Sequence, residues 1–161
     1  MIKLLRIDER LIHGQVANQW ARQLGVDAIV VANDEASKND LVKMSLHMAA
    51  PQGVKVAVVT IEKAIAQLND PRSAPLTIFV VVNAPEDALK IVKNVQNIPY
   101  VNIGNFGRIN REKMNRKRFA DNLYANDQEI QALKDLLHTG IDCEYRVLSS
   151  DPKIEVSALI Q

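Results

Sequence analysis

The sequence predicts an α/β fold with an open, mostly parallel sheet of about six or seven strands, covered by helices on both faces. Short apolar runs alternate with amphipathic helical stretches along the whole chain, which is typical of βαβ units. The 161 residues suit one domain and leave no room for two ordinary cores. No linker or internal repeat divides the sequence, so we expect a single domain over residues 1–161.

The first elements follow from periodicity. Residues 2–7 predict a strand, and residues 14–24 predict a helix whose apolar side chains recur every fourth position, at Val16, Trp20 and Leu24. Residues 27–32 form a continuous apolar run, which indicates a strand buried on both faces. Asn33 and Asp34 then predict the start of a helix that reaches about Ala49.

The middle of the chain repeats this alternation. Residues 54–59 predict a third strand and residues 61–69 a helix. Residues 76–82 form the most apolar strand, and a helix follows from Pro85, since proline is favoured in a first helical turn. The fifth strand is predicted at residues 100–103 and ends at Gly104.

The last third predicts one helix between two strands. Residues 119–124 predict a sixth strand. Asn126 and Glu129 match a capping box, which opens a helix that His138 closes. Residues 142–148 predict the last strand.

Composition excludes several classes of protein. Hydrophobic residues make up 47% and charged residues 24%, which excludes wholesale disorder. A single cysteine, Cys143, excludes an internal disulfide and fits a reducing compartment. We find no apolar run long enough for a membrane span and no signal peptide, so we expect a cytoplasmic protein.

Charge is concentrated in one place. Residues 108–118, hereafter the basic segment, contain six basic residues against Glu112, a net +5, which leaves −4 for the rest of a chain whose total is +1. A total so close to neutral predicts no generic binding to nucleic acid. We expect the basic segment to flank the active edge and to dock an acidic surface on a partner; a solvated face is the alternative.

Candidate chemistry lies just after the first strand. In open α/β sheets, sites form beyond the carboxyl ends of the strands. Residues 6–16 place arginines, carboxylates and His13 there, with His13 directly before the helix that begins at Gly14. The unpaired N–H groups of a first helical turn favour an anion, and Gly14 lets the backbone approach it.

These residue types suit the handling of a phosphoryl group. Imidazole is a nucleophile that is neutral near physiological pH, and guanidinium groups balance the charge of phosphoryl oxygens. Asp8 is placed to accept a hydrogen bond from His13 and to fix its tautomer. A lone histidine in such a loop is also found as a capping or packing residue. We favour that structural role for His47, within a helix, and for His138, in a last turn.

Other signatures are missing. The sequence has neither G-x-G-x-x-G after the first strand nor a P-loop, and the G-x-x-G at residues 104–107 is a weak signal. Thr60 stands where a receiver-type phosphoaspartate would need an acid. No two His, Asp or Glu residues have metal-ligand spacing with a third nearby, so we expect no metal and no cofactor.

The run at residues 6–16, Arg-Ile-Asp-Glu-Arg-Leu-Ile-His-Gly-Gln-Val, resembles the active-site signature of a bacterial family. The family comprises the IIB components of the mannose/fructose/sorbose branch of the phosphoenolpyruvate-dependent sugar phosphotransferase system. The resemblance spans the chain, through residues 30–34, 50–54, 101–104 and 150–153. It departs after Gly104, where the family often has Gly-Met and this chain continues with Asn105 and Phe106.

The resemblance implies a function. His13 would accept a phosphoryl group from a phosphohistidine of the IIA component and pass it to a sugar imported through the membrane components IIC and IID. Arg10 and Asp8 would act with His13 in catalysis. Arg6, Gly14 and Gln15 would bind the phosphoryl group. The protein would be a protein-phosphohistidine–sugar phosphotransferase, formed by one mannose-family IIB domain and peripherally associated with the permease.

A rival function and some details stay open. The rival is a phosphate- or RNA-binding module that uses the basic segment without a covalent step; only the phosphocarrier requires His13. A homodimer is also left open, and the sequence does not identify the sugar, because the membrane components bind most of it.

Overall fold

The computed structural model describes residues 1–160. Nine strands are present there: β1 (Ile2–Asp8), β2 (Ala28–Ala32), β3 (Lys55–Val59), β4 (Ile78–Val82), β5 (Val101–Asn105), β6 (Lys117–Ala120), β7 (Leu123–Ala125), β8 (Cys143–Tyr145) and β9 (Ile154–Glu155). The helices are α1 (Gly14–Leu24), α2 (Asp34–Ser37), α3 (Asp40–Ala49), α4 (Ile61–Asn69), α5 (Pro85–Asn94), α6 (Asp127–His138) and α7 (Val156–Leu159), with a 3₁₀ turn at Pro71–Ser73.

Seven strands form one sheet in the order β3-β2-β4-β1-β5-β8-β9. Neighbouring strands are parallel except for β9, which runs antiparallel to β8 at the edge. The predicted fold class is therefore confirmed. Because β1 lies between β4 and β5 in the middle of the sheet, the loop after β1 emerges among the carboxyl ends of its neighbours.

Apolar side chains cover both faces of the sheet. Leu5 and Ile7 of β1 pack in one core cluster, while Leu4 packs in the other, as the alternation of a strand requires. Helices α5 and α6 cover the first face with side chains such as Ile91 and Leu133. Trp20 of α1 is 1% exposed and belongs to the second cluster. The residue that helped to predict this helix therefore also packs it against the sheet.

The predicted helix at residues 34–49 is wrong as a single element. The chain forms α2 and α3 instead, because Asn39 starts a new helix by accepting hydrogen bonds from the N–H groups of Leu41 and Val42. An asparagine inside a helical pattern competes for backbone donors and favours such a break.

The predicted sixth strand at residues 119–124 is also wrong, because the chain turns back within it. β6 and β7 form a small antiparallel sheet of their own, and the segment between them is a turn. Phe106, just after β5, bridges to Leu123 and connects this hairpin to the main sheet.

The last strand is shorter than predicted and the chain end is more structured. Residues 142–148 yield only the three residues of β8, because the chain leaves the sheet after Tyr145 to run past Trp20. β9 and α7 were not predicted; both are too short to give a periodic signal. Among residues 1–160, none of the helices is long and apolar enough to cross a membrane.

Candidate active site

The loop between β1 and α1 folds tightly over the end of β1. The backbone N–H of Arg10 donates to Oδ1 of Asp8 at 3.0 Å, and the N–H of Leu11 donates to the backbone oxygen of Asp8 at 2.9 Å. Leu11 has a φ of +60°, an uncommon conformation outside glycine. This compact loop returns the chain so that His13 stands directly before α1.

His13 and Asp8 are in hydrogen-bond contact. Nε2 of His13 lies 2.9 Å from Oδ2 of Asp8, whose side chain is fully buried. The histidine itself is 15% exposed, so the ring is held from behind and reaches the surface on its other side. The contact predicted between the carboxylate and one ring nitrogen is therefore present, and it involves Nε2.

Arg6 supports the carboxylate from below the surface. Its Nη2 donates to the same Oδ2 of Asp8 at 3.0 Å, and its Nη1 donates to Oδ1 of Asn102 at 2.7 Å and to the backbone oxygen of Arg146 at 3.3 Å. The guanidinium also lies 5.5 Å from the centre of the Trp20 ring. Burial lowers the pKa of Arg6 below its ordinary value, while the charge and hydrogen bond of Asp8 act in the opposite direction.

Gly104 makes room for that arginine. A Cβ atom added to Gly104 would lie 2.0 Å from Cζ of Arg6, far closer than any real contact. Glycine is therefore required here so that strand β5 can pass the guanidinium group.

The N-terminus of α1 is free of side-chain caps. His13 is the N-cap residue, in an extended conformation, and its side chain accepts no hydrogen bond from the helix. Gly14 and Gln15 are exposed in the first turn, and Gly14 has a φ of +49°, which favours glycine. The backbone donors of this turn are thus available to an anion beside the imidazole.

The two predicted arginines lie in different environments. Arg10 is exposed, and its guanidinium forms no ion pair among residues 1–160. Arg6 is only 2% exposed and donates to protein acceptors. The structure brings Arg10, His13, Gly14 and Gln15 to the open edge, with Asp8 buried directly beneath His13. Arg6 lies behind Asp8, and its predicted role as a phosphate ligand is not favoured by this position.

Three polar residues that follow β2 and β3 accept hydrogen bonds from backbone N–H groups. Asn33 caps α2, and Asp34 accepts a hydrogen bond from the N–H of Ile61 at 2.9 Å. Thr60 caps α4. His47 and His138 are exposed on α3 and α6, so neither packs in the core. Across residues 1–160 there is no cluster of three metal-ligating side chains.

Several residues of this site escaped sequence reasoning. Asn102, Trp20 and Arg146 surround the Arg6 guanidinium, and Cζ of Arg146 lies 4.9 Å from the centre of the Trp20 ring. A polar residue in the middle of an apolar strand, as Asn102 is in β5, was the available signal. Arg146 lies too far along the chain for its contact to be inferred from sequence.

Glu9 connects the site to the basic segment. Its carboxylate accepts hydrogen bonds from the N–H groups of Arg108, at 3.1 Å, and Ile109, at 3.4 Å. Strand β5 runs parallel to β1 and places Asn105 opposite Asp8. The expectation that the basic segment flanks the edge carrying His13 is therefore met, with Glu9 as the direct contact.

Comparisons with known proteins show the family of the chain. A sequence model described as "PTS system sorbose subfamily IIB component" matches residues 2–161. A probable phosphotransferase enzyme IIB component of Streptococcus pyogenes serotype M6 is 39% identical, with 99% of each chain covered. The mannose-specific EIIAB component of Escherichia coli K12 is 35% identical over 99% of this chain, which spans 48% of that longer protein.

The fold comparison gives the same result. The crystal structure of the IIB domain of the sorbose permease from Klebsiella pneumoniae superposes with a TM-score of 0.91 at 34% identity. The match covers 99% of this chain and 96% of that one.

Proposed function

The chain belongs to the sorbose subfamily of IIB components of the sugar phosphotransferase system, and from this membership we propose that it carries the phosphoryl group on His13. Components of this system are phosphotransferases. The observation that supports His13 as the carrier is its hydrogen bond to the buried carboxylate of Asp8, beside an uncapped helix N-terminus.

The hydrogen bond between His13 and Asp8 favours one ring nitrogen as the carrier. Because Asp8 accepts from Nε2, the proton lies on Nε2 and the lone pair lies on Nδ1. Nδ1 attacks the phosphorus of a phosphohistidine donor, the donor's P–N bond breaks, and the electron pair returns to the donor ring. In the second step a sugar hydroxyl oxygen attacks the phosphorus, the bond to Nδ1 breaks, and the hydroxyl proton leaves to a base.

Positive charge and backbone donors stabilise the transferred group. The guanidinium of Arg10 is free to bond phosphoryl oxygens, and the first-turn N–H groups at Gly14 and Gln15 are uncapped. The backbone of this loop is fixed to Asp8 by the N–H of Arg10, so the backbone donors are held in place before an anion binds. Donors held in this way stabilise the negative charge on the phosphoryl oxygens during transfer.

Asp8 and Arg6 act as positioning residues. The carboxylate of Asp8 orients the imidazole and stabilises its positive charge while the N–P bond exists. Arg6 holds that carboxylate with a buried charge-assisted hydrogen bond, and Asn102 holds Arg6 in turn. We therefore assign Arg6 to the support of Asp8 rather than to the phosphoryl group.

The family supplies donor and acceptor. We infer that a IIA component donates and that a sugar bound by IIC and IID accepts. The Escherichia coli relative, whose name joins A and B components, supports a IIA partner. The relatives' names include both mannose and sorbose, so the sugar is left unassigned. We place the protein in the cytoplasm at the permease, as one mannose-family IIB domain over residues 1–161.

The rival function, a non-covalent phosphate- or RNA-binding module, is not favoured. It gives no reason for a histidine held by a buried carboxylate, and the family match extends over the whole chain. A homodimer stays an untested prediction.

Phosphorylation of the purified protein by the upstream components, followed by mapping of the label, tests the proposal. We expect His13→Ala to abolish labelling and to retain the fold, because Asp8 keeps its hydrogen bonds from Arg6 and from the backbone of Arg10. His47→Ala and His138→Ala, at exposed positions, serve as matched controls and should label normally. Labelling retained in His13→Ala, or a phosphoryl group on Nε2 by NMR, would contradict the assignment.

A further inference from the structure

We propose that the basic segment binds the surface of an anionic lipid bilayer. The inference rests on the chemistry of residues 108–118 themselves. It deepens the proposed function in one respect only: lipid contact would turn the His13 edge toward the membrane that holds the sugar acceptor.

Not every cation of the segment is free. Arg116 forms two hydrogen bonds of 2.9 Å with the carboxylate of Glu129, and Arg118 pairs with Asp121. The remaining four are exposed and form no ion pair among residues 1–160; they are Arg108, Arg111, Lys113 and Lys117. The local excess of positive charge is therefore available to an external anion.

Two apolar side chains lie among these cations. Ile109 is 55% exposed and Met114 is 45% exposed, although both are large hydrophobic residues. Cations beside exposed apolar side chains are the combination that an anionic bilayer interface accommodates, with charges at the headgroups and apolar groups at the acyl boundary.

The segment is held in shape before it binds anything. Glu9 fixes the N–H groups of Arg108 and Ile109, and Nη1 of Arg116 donates to the backbone oxygen of Ile109 at 2.5 Å. Within the segment, the N–H of Met114 donates to the oxygen of Asn110 at 3.0 Å. The backbone of the segment therefore has little conformational entropy to lose on contact with a surface.

The charge distribution and the composition of the segment favour a membrane surface over nucleic acid. Residues 108–118 contain no aromatic side chain, and stacking on such side chains is the usual means of binding single-stranded nucleic acid. The rest of the chain carries −4, so an anionic surface attracts this segment and repels the remainder, which orients the protein.

Orientation has a consequence at the active site. Glu9 follows Asp8 directly and holds the basic segment at the same edge as His13. Contact between this segment and a bilayer therefore brings the His13 edge close to the membrane plane.

Co-sedimentation with vesicles tests the proposal on the intact protein. We expect binding to phosphatidylcholine vesicles that contain phosphatidylglycerol, little binding to phosphatidylcholine alone, and weaker binding at high salt. Lys113→Gln with Lys117→Gln should weaken binding by about 25-fold, since each basic residue near an anionic surface contributes about fivefold. Ile109→Ser with Met114→Ser should weaken the binding that persists at high salt.

Lys63→Gln with Lys93→Gln removes the same charge from exposed positions on α4 and α5 and should change binding less than about twofold. Phosphoryl transfer from the donor protein, measured in solution without vesicles, should be unchanged in all these variants. The proposal is overturned if both kinds of vesicle bind the protein equally, or if the matched control loses as much binding as Lys113→Gln with Lys117→Gln. It is also overturned if Lys113→Gln with Lys117→Gln slows phosphoryl transfer in solution, because the basic segment would then be a protein-docking surface. Labelling of His13 is measured separately, so either proposal can fail alone.

Discussion

At the scale of the residue, one carboxylate organises the candidate active site. Both oxygens of Asp8 are used: Oδ2 accepts from His13 and Arg6, and Oδ1 accepts from the backbone of Arg10. A fully buried carboxylate requires such complete pairing. The ring orientation of His13 is thus set by interactions that extend down to Asn102, below the surface.

Arg10 should matter to the reaction and not to the fold. Its exposed guanidinium forms no ion pair among residues 1–160, so Arg10→Ala should change stability by less than about 0.5 kcal/mol. Loss of a charge-assisted contact to the phosphoryl group should slow transfer about tenfold to a hundredfold, equivalent to about 1.5–3 kcal/mol. Transfer rate and thermal midpoint are the two measurements.

Arg22→Ala, at an exposed position in the last turn of α1, is the matched control and should leave the rate unchanged. An unchanged rate in Arg10→Ala, or a large fall in its midpoint, would argue against a role in transfer.

Asp87 should make the stability depend on pH. Burial, followed by the charges of Asp34 and Glu86, raises the pKa of this carboxyl to about 6. The folded protein then holds the proton more tightly than the unfolded chain does. The contribution to stability is full below about pH 4 and is lost as the pH rises through about 6. Because Asp87 is only half-buried and lies in a first helical turn, we expect about 1 kcal/mol.

Asp87→Asn should therefore raise the free energy of unfolding by that amount at pH 8 and leave it unchanged at pH 4. Urea denaturation at the two pH values measures the difference. Glu62→Gln, in the exposed first turn of α4, is the control and should show no comparable gain. An equal effect of Asp87→Asn at both pH values would mean that ionisation is not its cause.

At the scale of the element, strand β5 is built around the guanidinium of Arg6. Asn102 binds it from the paired position, and Gly104 leaves the space that it occupies. The strand could not carry a side chain at Gly104 without displacing a buried charge. Its sequence is therefore determined by the active site as much as by the sheet.

Gly104→Ala tests this relation between β5 and β1. The added methyl would overlap Arg6, which is confined by burial and three hydrogen-bond acceptors, so we expect a loss of about 1–3 kcal/mol in the free energy of unfolding and slower phosphoryl transfer. Denaturation and transfer assays measure the two effects.

A double-mutant cycle identifies the cause. Arg6→Lys shortens the confined group, so combining it with Gly104→Ala should cost less than the sum of the single changes, by at least about 0.5 kcal/mol. Strict additivity would show that the methyl clashes with something other than Arg6.

At the scale of the whole molecule, the sheet order concentrates function on one edge. β1 lies beside β5, and the carboxyl ends of these parallel strands place the His13 loop next to the start of the basic segment. The opposite ends of the strands carry none of the proposed catalytic residues. One edge can therefore serve both the transfer of a phosphoryl group and contact with a surface.

The sequence by itself determined the fold class and predicted the position of the candidate site and its main residues. Continuous apolar runs identified most strands, and amphipathic stretches with capping residues identified most helices, because burial leaves such patterns in the sequence. The run at residues 6–16 identified His13, Asp8 and Arg10, because these residues are neighbours along the chain. The helix break at Asn39, the turn within residues 119–124, the early end of the last strand, and the short elements β9 and α7 were missed. Local hydrogen bonds and tertiary contacts decide such features, and they leave no periodic pattern in the sequence.

Only the tertiary structure shows which residues support the candidate site from inside the fold. Arg6 and Arg10 are equivalent as charges in the sequence, but β1 buries one and its loop exposes the other. Asn102 and Arg146 meet Arg6 over separations of 96 and 140 residues, and Glu9 meets Arg108 over 99. Contacts of this kind depend on strand order, and strand order is fixed by packing between distant segments, which no local pattern records.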